Sequence, residues 1–335
     1  YMISNSAPWD NLKFDEAGIK ESARKLFATI YNTYSFFALY ANVDSFDNSA
    51  PQIPLAERPE IDRWIISLLN SLIKDVEAAL DDYEPTRAAR AISDFVQDNL
   101  SNWYVRLNRK RFWGGDMTTD KLSAYQTLYQ CLETVALLMA PIAPFYADML
   151  YLDLVSVTKG DKAPASVHLA LLPEIDEAAI DKVLEERMAI AQQITSMVLA
   201  LRRKAAIKVR QPLSKILIPL SDNRLRDVIE PMSRLILNEV NVQELQMLDS
   251  GEAFLVKRVK PDFKKLGPLF GKRMKAVAAA VQQMSQQQIA QLERDGQIVL
   301  FVDGEDAIVP AADVEIIAAD IPGWLVANEG SLTVA

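Results

Sequence analysis

The sequence predicts a mainly α protein: an antiparallel helix bundle followed by a smaller α+β region. Apolar residues recur at three- and four-residue steps through the first half, most plainly at Ile61, Trp64, Ile65, Leu68, Leu69, Leu72, Ile73, Val76 and Leu80. The breaks between such runs are short, which folds each helix back on the last. Beyond Lys204 strand-like runs interleave with helical ones, KILIPL (215–220) and VNVQELQML (240–248) among them.

Taken in order, residues 1–18 read as an irregular leading segment with Pro8 and Trp9. A helix follows from Lys20 to Asn42, then a loop from Asp44 to Pro59 holding three prolines. The second helix is the run from Ile61 to Leu80, and Tyr83-Glu84-Pro85-Thr86 breaks it. Thr86 is the expected N-cap of a third helix reaching about Phe112, which Gly114-Gly115-Asp116 ends. A fourth runs from Asp120 to Met139, and Pro141 and Pro144 precede a fifth ending near Leu154. The polar stretch from Lys159 to Asp176 marks a domain boundary, and a long helix from Ala179 to Lys204 follows it. Helices are expected at Leu225–Leu237, Gly271–Met284 and Gln286–Arg294. Strands are expected at Phe254–Val259, Ile298–Val302, Val314–Ile317, Trp324–Ala327 and Leu332–Val334. The final GSLTVA stops mid-strand, as in an excised piece of a longer chain.

Composition narrows the chemistry. The 335 residues are 50% apolar and 24% charged, as in a soluble protein with a sizeable core. No apolar run reaches the ~18 residues of a membrane-spanning helix. The opening YMISNSAPWDNLKF lacks the basic and apolar blocks of a signal peptide, so cytoplasm is the expected compartment. Cys131 is alone, which excludes an internal disulfide and a CxxC zinc site. His168 is also alone, so neither a His-based triad nor a His-ligated metal cluster can be assembled. With no GxGxxG and no Walker A loop, no catalytic or metal residue is expected.

Net charge is −9, but the charges are segregated. Arg202 to Lys215 holds six basic residues and no acid. Lys257 to Lys275 holds eight against one Asp, and from Ala276 onward there are nine acids and one Arg. A polyanion responds to the local field, so these runs either meet nucleic acid or are solvated faces of ordinary helices.

On an ideal third helix, Val96, Leu100, Trp103 and Leu107 form an apolar stripe. Beside it lie Asn99, Asn102, Arg106, Arg109 and Trp113. Guanidiniums grip phosphate or stack, amides read base edges, and an indole stacks on an unpaired base. The other reading is a core helix whose basic end suits its own dipole. The aromatics of YNTYSFFALYANVDSF (31–46) are mostly core by period, with Asn32 the polar exception.

Several segments resemble the isoleucyl-tRNA synthetases, a class I aminoacyl-tRNA synthetase family. The strongest is YEPTRAARAISDFVQDNLSNWYVRLNRKRFW (83–113). NSAPWDNLKFDEAG (5–18), YNTYSFFALYANVD (31–44), LMAPIAPFYADMLY (138–151), SVHLALLP, LRRKAAIKVRQPLSKILI and LILNEVNV support it. The resemblance implies the C-terminal anticodon-binding region. Residues 1–18 would link from an absent catalytic domain, 19–158 form the helical anticodon-binding bundle, and 159–178 a connector. Residues 179–249 would form an α+β subdomain contacting tRNA, and 250–335 a second, truncated one.

The parent enzyme would join isoleucine to tRNA(Ile) with ATP and Mg²⁺. The HIGH and KMSKS signatures are absent here, so this chain is expected to hold tRNA without cofactor or catalysis, as a monomer beside its own catalytic domain. Many bacterial members end in a cysteine-ligated zinc module. With Cys131 alone, this chain resembles the longer zinc-free branch. The resemblance implies a cleft for the anticodon stem-loop, with bases read by Asn32, Asn102, Arg106, Arg109 and Trp113. Phosphates would be met by Arg202, Arg203, Lys208, Arg210, Lys264, Lys265, Lys272 and Arg273. A valyl-type anticodon-binding region and a protein-docking scaffold without RNA binding are the competing readings.

Overall fold

The computed structural model describes residues 9–11, 14–48, 50–158, 162–220, 223–248, 257–318, 324–329 and 332–335. Most of the leading segment, residues 254–256 of the strand expected at Phe254–Val259, and the first residues of GSLTVA fall outside them. The chain divides into two compact units, one ending at Glu185 and the other beginning at Glu186. That division falls in the first turn of a helix, not in the stretch from 159 to 178, and the hydrogen bonds of that stretch explain why. Ser166 Oγ and the Val167 N–H donate to Asp148, the Asp176 N–H to Asn70 Oδ1, and the Asp181 N–H to Ser67 Oγ. The connector is thus stitched along the bundle.

The first unit is the expected helix bundle. Helix α1 (Glu16–Ser22) starts at Asp15, whose carboxylate accepts from the N–H groups of Ala17 and Gly18. A π-helical stretch, Ala23–Phe27, leads into α2 (Ala28–Val43). Helix α3 (Glu60–Asp81) buries Trp64, Ile65, Leu69, Leu72 and Val76, the stripe its period foretold. The third long helix is composite: α4 (Pro85–Asp94), a π-helical stretch Phe95–Val105, and α5 (Arg106–Phe112). Thr86 is not its N-cap. Glu84 holds that place, and Pro85 sits at N1, where a missing N–H costs nothing. Gly114 and Gly115 end the helix at φ +60° and +75°, values a side chain resists.

Helix α6 (Thr119–Met139), capped by Thr118, is the most buried element, and α7 (Pro144–Thr158) packs along it. Burying each of Leu128, Leu132 and Val135 contributes about 1.5–3 kcal/mol. Polar ties fix the register between helices. Lys121 pairs with Asp44 at 2.6 Å, and Tyr125 Oη donates to the same carboxylate. Burial alone would raise the Asp44 pKa, but these hydrogen bonds and the Lys121 charge outweigh it and hold it below the ordinary value. A depressed carboxylate contributes stability above its unfolded pKa of about 3.9 and loses it as pH falls through the folded value. Asp44→Asn is therefore expected to lower the melting temperature at pH 7, by a gap that narrows below about pH 4. A gap independent of pH would contradict this.

The second unit continues from α8 (Lys182–Lys204), which buries Met188, Ala191, Ile194 and Val198. Strands β1 (Leu213–Pro219) and β2 (Val242–Leu248) are parallel, with Leu213 opposite Val242. Parallel strands need a crossover, supplied here by α9 (Asn223–Ile229) and α10 (Ser233–Val240). Then come β3 (Lys257–Pro261), α11 (Phe263–Phe270), α12 (Met274–Gln282) and α13 (Gln286–Asp295). The antiparallel pair β4 (Gln297–Val302) and β5 (Glu305–Pro310) follows, and β6 (Val314–Ala318) returns antiparallel to β3. Their shared core is Val259, Leu266, Val277, Val281, Leu292, Ile298, Leu300 and Val309. Last, β7 (Ala327–Glu329) and β8 (Leu332–Val334) form a hairpin, and Ala335 exchanges both backbone hydrogen bonds with Leu217 of β1. Trp324–Val326 stand outside any strand, against expectation. No helix among the described residues is long and apolar enough to cross a membrane.

Candidate nucleic-acid interface

The composite helix keeps one face inward and one outward. Val96, Leu100, Trp103 and Tyr104 are buried, whereas Asn102, Arg106, Arg109 and Trp113 are exposed. Bonding from i to i+5 over residues 95–105 fits more residues into each turn than the ideal helix on which the stripe was drawn. The stripe drifts accordingly, and Asn99 is half-buried. Arg106 Nε donates to the Asn102 carbonyl at 2.7 Å, and its guanidinium lies 5.8 Å from the Trp103 ring centre. Trp113, 52% exposed, leaves the helix in extended backbone just before the glycine turn.

Arg111, between Arg109 and Trp113, points inward. Its Nη1 and Nη2 donate to the fully buried Asp62 carboxylate at 2.6 and 2.9 Å, and its Nε to Asp120 at 3.0 Å. Lys121 Nζ donates to the carbonyls of Gly114 and Gly115. One buried pair and one lysine thus hold the end of the helix that presents Arg109 and Trp113 outward. A basic helix end suited to its own dipole accounts for Arg111 but leaves the exposed indole unexplained.

Asn32 is exposed on α2, a helix that packs against residues 95–105. Two exposed neighbours escaped the sequence reading: Tyr31 beside Asn32, and Lys110 beside Arg109. Lys110 was legible within NRKRFW but fell outside the stripe.

In the second unit the expected phosphate ligands separate into two kinds. Arg203, Lys208 and Arg210 are exposed, as is Lys204, which the sequence reading left out. None of them forms an ion pair among the described residues. Lys264 and Lys272 are exposed, and Lys265 is exposed with its Nζ donating to the Ala312 carbonyl. Arg202 must be corrected. It is 2% exposed, and its Nη groups donate to the carbonyls of Lys208, Gln211 and Asn241, so it shapes the loop that presents Lys208 and Arg210. Arg273 is likewise committed inside its own fold, to Glu305 and to the Val302 carbonyl.

Cys131 is fully buried, and burial pushes its thiol far above the range in which it reacts. His168 is exposed in a short turn. Among the described residues, no three His, Cys, Asp or Glu side chains converge to hold a metal. The arrangement can bind: flat and forked side chains on one helix face, and unpaired cations on a loop.

Residues 62–217 match the model of the anticodon-binding domain of tRNA ligase. The whole chain is 65% identical to the isoleucine–tRNA ligase of Bacteroides thetaiotaomicron and 64% to that of Bacteroides fragilis, covering 29% of each. It is 61% identical to the isoleucine–tRNA ligase of Porphyromonas gingivalis, again over 29% of that protein. The chain therefore spans under a third of the length of the curated relatives it matches. Asn32 lies outside the matched domain, whereas Asn102, Arg106, Arg109 and Trp113 lie inside it. The chain is thus similar over its whole length to part of the isoleucine–tRNA ligases, and the helix bearing the exposed Arg106–Trp113 face falls within the residues that match the anticodon-binding domain of tRNA ligase.

Proposed function

We propose that this chain binds tRNA(Ile) by its anticodon stem-loop, as the tRNA-holding part of a cytoplasmic, monomeric ligase that attaches isoleucine using ATP and Mg²⁺. The observation that carries the proposal is the outward face of Asn102, Arg106, Arg109 and Trp113 on a helix of the matched domain. Asn32 is assigned to the same task from α2. Single-stranded loops are recognised by stacking unstacked bases on aromatic or guanidinium planes and by hydrogen bonds to their edges. This face offers both. Arg203, Lys208, Arg210, Lys264, Lys265 and Lys272 are assigned to phosphates, which supply affinity without sequence preference.

The residues present do not fit ATP or Mg²⁺. HIGH and KMSKS are missing from the sequence, and no converging metal ligands exist among the described residues. No step of the ligation is assigned to this chain, and its catalytic domain is a partner. The identity to isoleucine enzymes favours isoleucine over valine tRNA. Against a docking scaffold stand the unpaired cations at 203–210.

Each phosphate contact releases condensed counterions, so affinity falls with salt in proportion to the number of contacts. Lys208→Ala with Arg210→Ala is expected to weaken all tRNAs alike and to reduce the slope of log K against log salt by about two. Titrations at several salt concentrations measure it. An unchanged slope would remove the loop from the interface, and salt-independent binding would favour the scaffold.

A further inference from the structure

Trp113 stands between a tightly packed residue and a bare turn. On its N-terminal side Phe112, fully buried, packs edge-on against Tyr125 of α6 at 4.9 Å between ring centres and against Phe36 of α2 at 5.2 Å. On its C-terminal side Gly114 and Gly115 take left-handed φ values, and a Cβ built on either would meet nothing within 4 Å. Glycine loses more conformational freedom on folding than any other residue, so a turn of two needs something besides side-chain packing to fix it. Lys121 supplies it. Its Nζ donates to the carbonyls of Gly114 at 3.2 Å and Gly115 at 3.4 Å and pairs with Asp44 at 2.6 Å.

An ammonium carries three N–H groups, and these three acceptors use all of them. The Lys121 side chain is 4% exposed, so it is a cation taken out of water. For stability alone such a pair is a poor device, because well-packed apolar residues of similar volume often do as well or better. What an apolar side chain cannot do is hold two carbonyls in one orientation. Asp44 directly follows Val43, the last residue of α2, so one ammonium ties the end of the helix bearing Asn32 to the turn that follows Trp113.

We propose that Lys121 is a positioning residue for base recognition: it fixes the Gly114–Gly115 turn, and thereby the orientation in which the exposed Trp113 ring meets an anticodon base. The proposal rests on the anticodon-reading assignment and adds to it a buried residue that touches no RNA and acts through Trp113. Without the ammonium the turn relaxes and the ring samples other orientations, so part of the stacking free energy goes into re-ordering it on binding.

The test measures preference for isoleucine tRNA over transcripts with each anticodon base exchanged in turn, by equilibrium binding well below the melting temperature of each variant. Lys121→Met leaves the Asp44 carboxylate without its counter-charge, so Lys121→Met with Asp44→Asn is measured beside it as the variant expected to keep the fold. Both are expected to lower the preference at one base about five-fold or more, the lower end of one base contact, with the salt slope of affinity unchanged. In a Trp113→Ala background the same changes are expected to lower it no further, since the residue they position is gone. An equal loss in both backgrounds, or a double variant that does not fold, would make Lys121 a structural residue only. An undiminished preference in the folded double variant would overturn the proposal while leaving the anticodon reading intact. If Trp113→Ala itself left the preference unchanged, its assignment to a base would fall and the proposal with it.

Discussion

Asp62→Ala is expected to destabilise the bundle by about 3–5 kcal/mol, the largest single effect in the chain. The carboxylate is fully buried and accepts four hydrogen bonds: two from Arg111, one from Tyr104 at 2.9 Å and one from Ser123 at 2.6 Å. Those donors come from the third long helix and from α6, while Asp62 itself is on α3, so one group ties three helices. Removing it leaves the Tyr104 and Ser123 hydroxyls without their acceptor and the Arg111 guanidinium without its buried counter-charge, held only by Asp120 and Asn108. A second buried cation nearby, Arg58, is held by the Ile53 carbonyl and Thr127, and burial pushes its pKa down.

The cost reflects stranding more than net attraction, because desolvating two charges offsets much of their pairing. Asp62→Leu combined with Arg111→Met is therefore expected to lose much less than either single change. Chemical denaturation of the four proteins closes the cycle. A loss below about 1 kcal/mol for Asp62→Ala, the size of an ordinary substitution, would show that the network does not hold these helices together.

Trp113→Ala and Arg106→Ala are each expected to cost about 1–3 kcal/mol in discrimination between isoleucine tRNA and the same tRNA with one anticodon base exchanged. Both side chains are exposed, so stability should move by less than about 0.5 kcal/mol. The separation of the two readouts is the point. Asp62→Ala lowers stability first and binding only through it, whereas Trp113→Ala lowers discrimination in a fully folded protein. If the two residues grip the same base, the double variant will lose less than the sum. Unaltered discrimination in both single variants would make the exposed face structural only.

The bundle was legible because its signal is the apolar period. α3 and α6 announce themselves through residues at three- and four-step spacing, and the prolines at 141 and 144 mark the turn before α7. The π-helical stretch at 95–105 was not legible, since i to i+5 bonding is imposed by neighbouring helices and has no composition of its own. In the second unit, α11 was missed because Gly267 and Pro268 lie inside it, and β5 because EDAIVP opens with two acids.

The site residues that failed did so for a related reason: a count of charges says nothing of burial. Arg202 follows Met188, Ala191, Thr195 and Val198 at three- and four-residue steps, so the phase of α8 places it inward, where carbonyls could hold it. Arg273 carries no such mark, because its partner Glu305 is 32 residues away in sequence. The exposure of Arg106, Arg109 and Trp113 follows the stripe drawn beside the apolar one on the third helix, whereas Asn99 on that stripe is half-buried.

The most direct measurement is equilibrium binding of this chain to an unmodified isoleucine tRNA transcript and to a copy with one anticodon base exchanged, at two salt concentrations. The expected result is affinity that falls with salt for both and a preference for the intact anticodon that persists at both. Equal affinity for the two transcripts, whatever its salt dependence, would contradict anticodon reading by this chain.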